Sequence, residues 1–155
     1  MGAACCIQKQ KNELGVQAEP HAIKGKQLTT KLSNANKLKM LSFDNTKVAT
    51  LESKYAIEKL RVMHFVNCSM VNISGSDSLK VFQAAGESLK KVNLAHNKIA
   101  VIPKEFFEHC PRIESLILGQ NQITSIPQTL SLLTKLTELD LSSNRLSDGF
   151  GLSNI

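Results

Sequence analysis

The chain has 155 residues, 42% of them hydrophobic and 21% charged, with a formal net charge of +6. That length suits one domain, the balance argues against global disorder, and no stretch approaches the roughly 18 consecutive apolar residues of a membrane-spanning helix. Trp is absent and aromatics are 5% of the chain, so a core has to be built mostly from Leu, Ile and Val.

The charge is concentrated at the front. Residues 1–39 hold seven Lys against two Glu, whereas residues 40–155 hold twelve basic and eleven acidic residues. The sequence pI of about 9.2 therefore describes the N-terminal region, which suits an anionic membrane or a nucleic acid. The chain opens Met1-Gly2-Ala3-Ala4-Cys5-Cys6. Loss of Met1 exposes Gly2 as a myristoylation acceptor, although the usual pattern has Ser or Thr where Cys6 stands. Cys5 and Cys6 beside it are candidates for palmitate. One myristoyl chain binds membranes only marginally, with an association constant of about 10⁴ M⁻¹, so a second signal is needed. A palmitate supplies it, and Lys9 and Lys11 add about 1 kcal/mol each near an anionic leaflet. Residues 1–20 thus read as a flexible, lipidated basic tail. They lack the apolar stretch of about 7–15 residues found in secretory signals. The expected location is the cytoplasm, peripheral to the inner leaflet.

Residues 21–37 read as a partial first turn, and a repeat follows from residue 38 to residue 155. Units start at 38, 60, 89, 113 and 136. The last three fit Leu-x-x-Leu-x-Leu-x-x-Asn-x-Leu: Leu89, Val92, Leu94, Asn97, Ile99; Ile113, Leu116, Leu118, Asn121, Ile123; Leu136, Leu139, Leu141, Asn144, Leu146. The first two keep the spacing with Thr46 and Cys68 in the asparagine slot. Apolar residues two apart, such as Leu116 and Leu118, point to one face of a strand. The slot five residues after Leu116 falls where the chain leaves the strand, and a short polar side chain there satisfies backbone groups. A single coil cannot bury its apolar edge, whereas a stack of coils can.

These units resemble the leucine-rich-repeat family, and with the Gly2 start they are similar to small myristoylated leucine-rich-repeat adaptors. The resemblance implies an α/β fold: a right-handed solenoid with a parallel β-sheet on its concave face. The unit starting at Leu60 is the longest, and its excess predicts a short convex helix near residues 77–85. Ser76 is its expected cap and Gly86 its stop. Shorter units are expected to return as extended chain or a single turn. The chain ends twenty residues into the last unit, with Phe150, Leu152 and Ile155 as the only apolar cover. This reads as a fragment or short form of a longer repeat protein.

No phosphate loop, metalloprotease or nucleophile-elbow motif is present, and the four Cys show no zinc spacing. No enzyme, metal or cofactor is expected. His64 should face out of the sheet and Cys68 inward, which separates them as a nucleophile–base pair. Cys110 reads as buried packing. Outward strand positions are candidates for a protein partner: Met40, Val62, His64, Val66, Lys91, Asn93, Ile117, Glu138 and Asp140. Apolar Val62, Val66 and Ile117 with acidic Glu138 and Asp140 suit a partner with an apolar centre and a basic end. The expected function is a membrane-anchored, non-enzymatic adaptor. The alternatives are a regulatory subunit of a phosphatase or ligase, and a nucleic-acid-binding protein using the basic front. The second is disfavoured because the sheet face lacks aromatic stacking residues.

Overall fold

A computed structural model describes residues 39–45, 47–48 and 58–147. Gly2, Cys5, Cys6, Thr46, the turn at 21–37 and the terminal Phe150, Leu152 and Ile155 lie outside the described residues. Five strands, β1 (Met40–Asp44), β2 (Val62–Val66), β3 (Lys91–Asn93), β4 (Ser115–Ile117) and β5 (Glu138–Asp140), form one parallel sheet in sequence order. Each falls where the leucine spacing switches to a period of two. The register is unbroken: Met63, Val92, Leu116 and Leu139 stand opposite one another through successive pairings. Met63 and Leu116 are fully buried, as is Phe65, whose ring stacks on Phe43 with centroids 5.2 Å apart.

The connections behind the sheet differ from coil to coil. Between β2 and β3 lies α1 (Ser76–Ala85), between β3 and β4 lies α2 (Lys104–His109), and between β4 and β5 a 3-10 turn, Gln128–Leu132. The first is the expected helix. Its cap is not: Gly75 occupies the N-cap position, and Ser76 is the first helical residue with no side-chain cap bond. Gly86 does not end the helix by a left-handed turn either, since its φ is −56°. Its role is steric. A Cβ on Gly86 would lie 1.7 Å from the His109 carbonyl oxygen, so α1 and the end of α2 can meet only at a glycine. The return after β3 is a six-residue helix rather than the expected extended chain or single turn. The Phe106–Phe107 pair explains it, because helical spacing lets both side chains bury completely. Phe106 meets Phe82 of α1 edge-on at 4.8 Å, and each buried ring is worth about 1.5–3 kcal/mol in transfer free energy.

The asparagine slot ties coil to coil. Asn97 Oδ1 accepts from the Cys68 and Met70 amides of the preceding coil, both at 3.0 Å. Its Nδ2 donates to the carbonyls of Phe65, Leu94 and Ala95. Asn121 repeats this, accepting from Ile99 N–H and donating to Leu94, Leu118 and Gly119 carbonyls. Asn144 accepts from Ile123 N–H and donates to Leu118, Leu141 and Ser142. In the Cys68 coil the thiol donates to the Phe43 carbonyl at 3.2 Å.

The residue before each described slot has a left-handed backbone: Asn67 (φ 54°), His96 (57°), Gln120 (55°) and Ser143 (53°), with Asn45 (52°) before position 46. The cause is visible in the hydrogen bonds. The turned N–H of Asn45, Asn67, His96 and Gln120 donates to Val66, Ala95, Gly119 and Ser142 carbonyls of the following coil. The bond to the next coil offsets a left-handed strain of about 1–2 kcal/mol per residue.

Candidate functional site

One face of the sheet carries no second layer among the described residues. Two rows cross it in register: Met40–Val62–Lys91–Ser115–Glu138 and Ser42–His64–Asn93–Ile117–Asp140. A third begins with Asp44 opposite Val66. Parallel strands are about 4.8 Å apart, so His64 and Ile117, two steps apart, lie about 10 Å from each other. All nine outward candidates are therefore on one surface. Lys91 and Glu138 are exposed; Met40, Val62, His64, Val66, Asn93, Ile117 and Asp140 are half-buried.

Several of these side chains are already engaged. His64 Nε2 lies 3.0 Å from Asp44 Oδ1 across the β1–β2 step. The sequence separates those two residues by twenty positions, and only the register brings them together. Asn93 accepts from the Ala95 amide, and Asp140 accepts from the Ser142 amide. Both end their strand in the same row and close the same local turn. The Ser142 hydroxyl, and then its backbone N–H, hold the Asp140 carboxyl below the usual carboxylate range. Asp140 also leans over Gly119: a Cβ there would meet its Oδ2 at 2.6 Å. Ser115, buried beneath the face, donates to Glu138 at 2.6 Å.

The face thus carries apolar groups and the His64–Asp44 pair on β1 and β2, and fixed carboxylates on β5. It offers shape and charge, with the carboxylates held in place before any partner arrives. Cys68 is fully buried on the opposite side of the sheet from His64, and Cys110 is buried with its thiol pushed up to about 12 by burial. At the rim before the strands, the hydrogen bond from Lys90 lowers the Glu114 carboxyl. Among the described residues no His, Cys, Asp and Glu group could hold a metal ion, and no helix is long and apolar enough to cross a membrane.

Residues 87–146 match the family model for the leucine rich repeat. The chain is 42% identical over 59 residues to Tsukushi of Xenopus tropicalis, covering 38% of this chain and 17% of that protein. It is 32% identical over 63 residues to osteomodulin of Bos taurus, covering 41% of this chain and 15% of that protein. The chain therefore spans less than a fifth of the length of these curated relatives. The crystal structure of a TLR13–ssRNA13 complex superimposes with a TM-score of 0.51 at 23% identity, over 71% of this chain and 19% of that one. At that identity the likeness concerns the fold. The family match covers residues 87–146, and the strand order and asparagine ladder show the described residues stacked as a solenoid of the leucine-rich-repeat kind.

Proposed function

We propose that the chain is a non-enzymatic protein-binding adaptor or scaffold, with the open sheet face as its recognition surface and an acylated N-terminus as its membrane anchor. The observation that supports the first half is the pair of rows running in register across all five strands, with half-buried Met40, Val62 and His64 towards one end and the Glu138 and Asp140 carboxylates at the other. A protein with an apolar centre and a basic end is complementary to it, since charge matching fixes register and desolvated apolar groups supply affinity. The second half rests on Gly2, Cys5, Cys6 and the lysines that follow them.

The test is affinity capture from the native cell with the full chain. Val62→Glu and Ile117→Glu should each abolish capture with folding intact, because each buries a charge at an apolar anchor. His64→Gln should weaken it; Glu at that position would face Asp44 and confuse folding with recognition. Lys104→Glu, on α2 behind the sheet, should leave capture unchanged. Normal capture by folded Val62 and Ile117 variants would refute the recognition surface. For the anchor, Gly2→Ala should move the protein from membrane to cytosol, and Cys5→Ser with Cys6→Ser should do so in part. Unchanged membrane fractionation, or no uptake of a myristate analogue at Gly2, would refute it.

A further inference from the structure

The charges of this molecule are sorted by edge. All the described carboxylates lie on the open face (Asp44, Glu138, Asp140), on the connections entering the strands (Glu58, Glu87, Glu114), or on the helices (Asp77, Glu105, Glu108). The edge where the chain leaves the strands has none on its turns among the described residues; the carboxylates nearest it, Asp44 and Asp140, are the last residues of β1 and β5 and are engaged by His64 and Ser142. It carries Lys47, Lys98 and Arg145 instead, all exposed, together with exposed His96. None of these four is in an ion pair among the described residues, unlike Lys90 and Arg112 on the opposite edge, which pair with Glu114 and Glu87.

Stacking puts the cations in line. Lys98, Gln122 and Arg145 occupy the same place in successive coils, the position after the asparagine slot. Each backbone N–H donates to the preceding coil, to the Met70, Ile99 and Ile123 carbonyls at 2.8–2.9 Å. Lys98 and Arg145 are thus two steps, or about 10 Å, apart. Val71 and Val101, 60% and 58% exposed, lie on the connections that leave β2 and β3. Of the three exposed large apolar side chains among the described residues, two are here; the third is Leu132 on the return side.

We propose that this strand-exit edge is a second docking surface, for an acidic protein segment carrying aliphatic side chains. Carboxylates of the segment meet Lys98 and Arg145, and its aliphatic groups cover Val71 and Val101. Complementary charge selects the partner class and steers its approach. A nucleic acid is less well served, since among the described residues the edge presents no Phe, Tyr or Trp for base stacking. A lipid surface is also less well served, because two valines give little apolar depth for insertion.

The probe is a fluorescein-labelled dodecapeptide with Leu at every third position and Glu elsewhere, titrated with the full chain and read by anisotropy. Binding should be saturable and weaken with added salt. Lys98→Glu and Arg145→Glu should each weaken it about tenfold, as reversal of a docking charge does, and neutral Lys98→Gln by less. Lys80→Glu on α1 should have no effect, and neither should Ile117→Glu on the open face, so the two surfaces are read separately. Circular dichroism melts confirm folding; should a Glu variant unfold, the Gln variant alone decides. Absence of saturable peptide binding would overturn the proposal. So would equal losses from Lys80→Glu and Lys98→Glu. Tighter, Lys98-dependent binding of a twelve-nucleotide oligouridine, or of phosphatidylserine–phosphatidylcholine vesicles, would likewise overturn it.

Discussion

Replacing the Asn121 side chain separates its two hydrogen-bonding roles. In Asn121→Ala, the Leu94 carbonyl keeps the Asn97 amide, Leu118 keeps the Asn144 amide, and Gly119 keeps the His96 N–H. The group left without its acceptor is the buried Ile99 N–H. An orphaned buried donor costs about 1–3 kcal/mol, and the lost amide bonds add a fraction more. The expected loss is about 2.5 kcal/mol. With a urea slope of about 2 kcal/mol per molar, the midpoint falls by roughly 1.2 M. In Asn121→Asp the acceptor for Ile99 survives, but a carboxylate oxygen replaces the donor and faces carbonyl oxygens. An uncompensated buried charge costs about 3–5 kcal/mol, so Asp should be worse than Ala at pH 7. The buried acid has its pKa raised, so the variant should recover stability as pH falls and the carboxyl protonates to become a donor again. Asn144→Ala makes the comparison internal: the same bonds, half-buried, should cost only about 1 kcal/mol because water can replace them. Urea melts of the three variants at pH 7 and pH 5 decide. Were Asp milder than Ala at pH 7, the slot amide would not be the donor. The coil-to-coil ladder would then need a different explanation.

Gly86→Ala should destabilise by at least about 2 kcal/mol in the same assay, because the Cβ cannot coexist with the His109 carbonyl and α1 must separate from α2. Gln120→Gly should be neutral or stabilising by up to about 1 kcal/mol, since glycine adopts the left-handed φ of 55° without strain; a loss similar to that of Gln122→Gly would contradict it. The Cys110 thiol should resist a thiol reagent at pH 8 until the protein is unfolded, because burial keeps it protonated. The native state favours the protonated form, so its contribution to stability is intact below the unfolded pKa near 9 and declines as pH rises towards 12. Cys110→Ser, otherwise compared at equal temperature, should flatten that alkaline decline.

The strands were legible because leucine spacing is a direct record of which side of the chain is buried. The slot residues were legible because an amide after the strand has few other uses. The left-handed residues were not. Asn45 and Asn67 favour that conformation, but Gln120 and Ser143 do not advertise it, and for Asn45, Asn67, His96 and Gln120 the demand comes from a carbonyl one coil away. The same distance hid Gly86, which reads locally as a helix stop and acts as a spacer against His109. Of the open face, the alternation of the strands marks the outward residues. The Asp44–His64 pair, the buried Ser115 beneath Glu138 and the alignment of Lys98 with Arg145 appear only once the register is fixed.

The connections behind the sheet have a ten-residue helix, a six-residue helix and a 3-10 turn, yet β2 to β5 stay in step. Length can therefore vary on one side of the molecule at little cost to the other. An added residue between Asn72 and Gly75, ahead of α1, lengthens a loop, whereas one between Val62 and Val66 turns every later side chain of that strand over. The sheet side behaves as a ruler with a fixed division of about 4.8 Å. Whole coils can be gained or lost without resetting it, and what a partner reads along it can change one residue at a time.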